Sequence, residues 1–147
     1  MSEFIHKSHN VTVLLYHLVF PAKYRQTIFD KGVDRALAEI CLEIEKRYEI
    51  KFLEIGTDND HVHFLVQSVP MYSVTKLIRM IKSLTAKEIK QKCPQVKRLL
   101  WKGPIWSSGF FASTVGKHGN ENMISEYVKN QGMEYEQLHA NHQLALL

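Results

Sequence analysis

Cysteine is scarce: Cys41 and Cys93 are the only two in 147 residues, and they stand far apart in the chain. A disulfide-stapled secreted scaffold is excluded, and two buried or incidental thiols in a reducing compartment are expected instead. Glycine and proline are also few, at 7 and 4, which leaves no collagen-like or low-complexity segment. No apolar run approaches the roughly 20 residues that span a bilayer, and the opening MSEFIHKSHN lacks the apolar stretch of a secretory signal. The expectation is a cytoplasmic protein with no membrane partner. Acidic residues are outnumbered, 15 against 19 Lys and Arg, giving a net charge of +4. That bias is compatible with a polyanionic partner but does not name one. The length suits a single domain over residues 1–147 with an ordinary hydrophobic core. Residues 1–8 and 139–147 read as loose tails.

What is present alternates between two periodicities. HNVTVLLYHLVF (9–20) is rich in β-branched and aromatic residues and stops at Pro21, as a strand does. In the segment from Val33 to Ile50, Leu37, Ile40, Cys41, Ile44 and Tyr48 recur at helical spacing, the pattern of an amphipathic helix. KFLEIGT (51–57) and HVHFLVQSV (61–69) read as strands joined by the turn formers Asp58, Asn59 and Asp60. Residues 73–92 form a second long helix, with Ser73 as its N-cap. After Pro94, VKRLLW and GFFASTVG read as further strands. A third helix runs over NENMISEYVKNQGMEYEQLHA, with Gly132 as a kink or end. This order predicts an α+β fold of ferredoxin-like or RRM-like plan, an antiparallel sheet with helices packed on one face.

One stretch does not read as ordinary core. In DNDHVHFLV, His61 and His63 flank Val62, and residues two apart on a strand project from the same face. Adjacent imidazoles are either a packing detail or half of a metal site, since imidazole nitrogen binds several divalent metals. Zinc is disfavoured because no third ligand sits at zinc-site spacing, although His17 or His118 could approach in space. On the last helix, Tyr127 and Gln131 are four apart and share a face. A Gln oxygen can complete a His–His–oxygen site, and a phenol one turn away would lie beside the ion. A nearby cation favours phenolate over phenol and stabilises charge building on a phosphate. Equally, Ile124, Tyr127 and Val128 can form one apolar stripe with Gln131 at its solvated edge.

Basic residues have a pattern of their own. Lys76, Arg79, Ser83, Lys87 and Lys90 fall on one side of the second helix, opposite Leu77, Ile81 and Leu84. Such a stripe suits a phosphate backbone, or is simply a solvated face. Lys23 and Arg25 add charge beside Tyr24, as Lys97, Arg98 and Lys102 do beside Trp101 and Trp106. These aromatics can stack on unpaired bases or belong to the core.

HLVFPAKYR (17–25), DHVHFLV (60–66), GFFASTVG (109–116) and ISEYVKNQG (124–132) together resemble, in order and spacing, the single-tyrosine HUH transposases. These are enzymes of small bacterial insertion sequences that move as single-stranded DNA, with relatives acting on repetitive extragenic palindromes. The resemblance covers about residues 10–135. It implies a catalytic Tyr127 on a C-terminal catalytic helix, and Mg²⁺ or Mn²⁺ held by His61, His63 and Gln131. It implies no nucleotide cofactor, because attack by Tyr127 leaves a 5′-phosphotyrosine whose energy is kept for rejoining. The implied partners are single-stranded DNA with a hairpin at the element ends and a second copy of the chain. In that homodimer the tyrosine helix can complete the partner's site, with Gly116 and Gly119 as a hinge. Two other classes fit the residues less fully. One is a nucleic-acid-binding module without chemistry, the other a metal-dependent phosphodiesterase that uses water.

Overall fold

A computed structural model describes residues 14–100, 103–116 and 134–136. The chain runs β1 (Leu14–Pro21), α1 (Lys31–Arg47), β2 (Lys51–Thr57), β3 (His61–Ser68), α2 (Val74–Lys92), α3 (Pro94–Leu100), β4 (Phe111–Val115) and β5 (Glu134–Glu136). The sheet order is β4-β1-β3-β2-β5, with every pairing antiparallel. Its first four strands have the split-βαβ order of a ferredoxin-like fold, as expected.

Directly paired residues of antiparallel strands share a face, so the register sorts the sheet into two surfaces. On one, Leu18 and Phe20 of β1, Phe52 and Ile55 of β2, and Val62, Phe64 and Val66 of β3 meet the helices. Phe64 packs between Phe20 and Phe52, at ring separations of 5.2 and 5.7 Å. Val33, Leu37, Ile40, Cys41 and Ile44 of α1 and Leu77, Ile78, Ile81 and Ile89 of α2 close this core. Both helices begin where the sequence provides a cap: Asp30 accepts from Val33 N at 2.8 Å and Ser73 accepts from Lys76 N at 3.0 Å. Cys41 and Cys93 are buried free thiols.

The second surface carries His61, His63, Leu65 and Gln67 of β3, paired with Pro21, Val19, His17 and Leu15 of β1. A smaller apolar cluster of Leu15, Leu65 and Val115 lies here, with Leu53 against it. Leu53 reaches this cluster through a β-bulge between Phe52 and Glu54, which inserts one residue while keeping Phe52 and Ile55 in the main core.

Two expectations are corrected. VKRLLW does not form a strand: Pro94 opens α3, where its fixed φ suits the first helical position. Val96 and Leu100, four apart and both buried, have helical spacing, with Lys97 and Arg98 between them. The third helix does not extend through Glu134–Glu136, which instead pair with Ile55–Thr57 at the sheet edge. The rest of that helix, and both tails, lie outside the described residues. No helix among the described residues is long and apolar enough to cross a membrane.

Candidate metal centre

The site forms where β1 and β3 run side by side and the β2–β3 turn closes the end of the sheet. Asp58 N donates to His61 O at 2.9 Å and Ala22 N donates to Asp60 O at 2.7 Å, so the turn is tied to both neighbouring strands. This fixes where β3 starts, and with it the shared face of His61 and His63. Their rings lie 4.9 Å apart, edge to face.

Each of the two imidazoles has a partner on Nδ1. His61 Nδ1 donates to Asp60 Oδ1 at 2.8 Å. For His63, a hydrogen bond of 3.2 Å joins its Nδ1 to Nε2 of His17. His17 pairs with Leu65 rather than His63, so the contact is a cross-strand diagonal, within reach of side chains of this length. The two rings are nearly parallel, 11° between their planes with centroids 5.5 Å apart, and the ring of Phe111 from β4 lies 5.8 Å from His17 at a steep angle. His17 and His63 are both buried, while His61 is partly open to solvent.

Burial governs the charge state. It lowers the His63 pKa from 6.5 to about 4, helped by the neighbouring His61 and His17 and opposed by Asp58. Burial likewise lowers the pKa of His17. His63 is therefore a neutral imidazole at pH 7, the form that can ligate a metal. A second donor set adjoins the pair: ligating atoms of Asp58, Asp60 and His61 lie within 4.8 Å of one another. Oxygen and imidazole donors in one place fit a divalent cation. Asp60 already accepts from His61, the carboxylate–histidine arrangement that orients a ligand from behind.

Of the other expected site residues, Lys76, Arg79, Ser83 and Lys87 are exposed on α2, on the helical side of the sheet and so opposite the histidines. Lys90 of the same stripe donates to Gly103 O at 2.5 Å, tying the helix to the segment before β4. Lys23 lies in a single 3-10 turn just past β1, its Nζ 5.0 Å from the centre of the Tyr24 ring. Tyr24 is 80% exposed at φ 57°, a left-handed conformation that a non-glycine residue adopts at a cost. The backbone of Arg25 ends that turn. Gly116 is exposed just after β4. Tyr127, Gln131, Gly119, His118 and Trp101 lie outside the described residues. Trp106 is core: it stacks on Phe29 and donates from Nε1 to Thr85 Oγ1 at 3.0 Å.

Two participants escape a reading of the sequence. Asp58 and Asp60 pass as turn formers, though an Asp directly before a paired histidine was a usable signal. His17, expected as a residue that could approach in space, does reach the pair, but its contact with His63 is set by the β1–β3 register, which no local pattern contains.

The family model described as "Transposase IS200 like" matches residues 10–131. Among curated proteins, the chain is 26% identical to the ISDra2 transposase TnpA of Deinococcus radiodurans over 80% of this chain and 84% of that protein. It is 28% identical to the transposase of insertion sequence IS200 from Salmonella typhimurium, over 79% of this chain and 75% of that one. A solved structure of a candidate transposase from Deinococcus radiodurans R1 superposes with a TM-score of 0.68 at 24% identity, covering 86% of this chain and 97% of the other. A REP-associated tyrosine transposase bound to a REP hairpin superposes at 0.53 with 12% identity, over 87% and 68% of the two chains. These two share its fold. With the family model spanning most of the sequence, the chain belongs to the IS200-like transposases.

Proposed function

We propose that this protein cuts and rejoins single-stranded DNA by metal-assisted transesterification through Tyr127. The observation that carries the reading is the pair of adjacent imidazoles, each held at Nδ1 by a partner, in an IS200-like transposase chain. His61 and His63 would hold a divalent ion through their Nε2 atoms, with Gln131 adding an oxygen. The mixed donor set suits Mn²⁺ better than Mg²⁺, which prefers oxygen. When bound, such an ion neutralises charge developing on the scissile phosphate.

Tyr127 supplies the nucleophile. Its phenolic oxygen bonds to phosphorus as the bond from phosphorus to the 3′-oxygen breaks. The products are a 5′-phosphotyrosine and a free 3′-hydroxyl, the phenolic proton passing to that leaving oxygen or to solvent. A second 3′-hydroxyl attacking the phosphotyrosine reverses the exchange and joins new ends. One phosphodiester replaces another, so no nucleotide cofactor is consumed.

The substrate is DNA presented as a hairpin, the form bound by one similarly folded transposase. Lys76, Arg79, Ser83 and Lys87 form an exposed basic stripe suited to its backbone. Lys23 and Arg25, next to the exposed Tyr24, lie nearer the histidines, because Pro21 pairs with His61. The working unit is a homodimer in which the tyrosine helix can serve the partner's histidines, with Gly116 and Gly119 as the hinge.

The test uses purified protein, Mn²⁺ and single-stranded oligonucleotides carrying the palindromes that flank its own gene. Cleavage should require the metal and disappear in His61→Ala and His63→Ala, while hairpin binding is largely kept. Binding without cleavage would point to a module without chemistry. If both variants unfold, the histidines are core.

A further inference from the structure

Within that proposed function, on which this inference rests, we infer that His17 is a positioning residue, the acceptor that holds His63 with Nδ1 protonated and turns its Nε2 toward the ion. A neutral imidazole carries its proton on one nitrogen only, and a nitrogen with a proton has no lone pair for a metal. The tautomer of a ligating histidine is set by the bond that its other nitrogen makes. For His61 that partner is the carboxylate of Asp60, an obligate acceptor when ionised. The corresponding contact of His63 goes to His17 Nε2, at 3.2 Å. If His63 Nδ1 donates there, Nε2 of His63 keeps its lone pair. If His17 donates instead, the proton of His63 sits on Nε2 and blocks ligation.

The surroundings hold this contact in place. His17 is buried in the middle of β1, between β3 and β4. Its ring lies nearly parallel to that of His63, and the ring of Phe111 meets it at a steep angle, 5.8 Å between centroids. Burial at 3% exposure and the contact with Phe111 restrict the ring, so packing supports the hydrogen bond. The two ligands are thus supported unequally. Asp60 orients His61 with a carboxylate, and His17 gives His63 orientation without added charge.

The experiment compares the full-length wild type with His17→Leu, which packs but accepts nothing, and with His17→Gln, whose amide oxygen can accept. Mn²⁺ affinity is read by electron paramagnetic resonance of the free ion, folding by circular dichroism, and the His63 tautomer by ¹⁵N NMR of the metal-free wild type. His17→Leu should weaken Mn²⁺ binding by about 10–100-fold while staying folded, the usual loss when a ligand's orienting partner goes. His17→Gln should recover part of it, and wild-type His63 should carry its proton on Nδ1. Unchanged Mn²⁺ affinity in folded His17→Leu overturns the inference, as does a wild-type His63 protonated on Nε2. A wild type that binds no Mn²⁺ refutes the metal reading instead, and the tautomer then decides the inference alone. Should both variants unfold, the wild-type tautomer likewise decides.

Discussion

Acidification should destabilise this protein through the buried imidazoles of His63 and His17. In the folded state His63 has a pKa of about 4, against an ordinary 6.5. The unfolded chain therefore binds a proton more readily than the folded one. Stability from this group is complete above about pH 6.5, declines as the pH falls toward 4, and is fully lost below that. A displacement from 6.5 to about 4 is worth about 3 kcal/mol at 1.36 kcal/mol per pH unit. That is a large share of the roughly 5–15 kcal/mol that stabilises a typical domain. The lowered pKa of His17 acts in the same direction. Urea unfolding at pH 7.5 and pH 4, with chelator present, measures the loss. His63→Gln provides the reference, since carboxylates titrating in the same window affect both proteins alike. The wild type should lose about 3 kcal/mol more than the variant, a midpoint shift on the order of 1–2 M urea. Equal losses would mean that His63 is not held neutral by burial, and the description of the site would be wrong.

Other perturbations test separate parts of the account. Phe64→Ala removes a fully buried ring from between Phe20 and Phe52. It should cost about 3–5 kcal/mol in denaturant unfolding. Thr85→Val keeps the volume but strips the Trp106 indole of its acceptor, at a cost of about 1–3 kcal/mol for the stranded N–H; thermal unfolding would register it. Asp30→Ala deletes the α1 cap to Val33 N and should cost about 1 kcal/mol, with Asp30→Asn keeping most of the stability. Paired neutralisation of Lys76 and Arg79 should weaken hairpin binding without affecting unfolding, and the salt dependence of binding should become shallower.

How far the chain could be read before its structure depended on whether a property was local. The alternation in β3, the helical stripes of α1 and α2, and the Ser73 helix start are written in neighbouring residues, and all form elements as expected. VKRLLW, with Val96 at one end and Leu99, Leu100 and Trp101 at the other, is short enough to suit a strand as well as a helix. The position of Pro94 and the spacing of Val96 and Leu100 decided for helix. At the site, His61 and His63 could be picked out because strand geometry forces them together. The contact between His17 and His63 could not, because it is set by how β1 slides against β3. A shift of one residue would send His17 to the helical face. Asp60 was hidden for another reason: the same residue type that favours a turn also supports a ligand.

The central claim is that Tyr127 becomes covalently joined to DNA at a centre built on His61 and His63. Mass spectrometry of the protein after reaction with Mn²⁺ and its own hairpin-bearing single strand tests it most directly. A nucleotide adduct on the peptide containing Tyr127, absent from Tyr127→Phe and from His63→Ala, is the predicted result. Efficient cleavage with no adduct on any tyrosine, undiminished in Tyr127→Phe, would contradict the account and identify water as the attacking group.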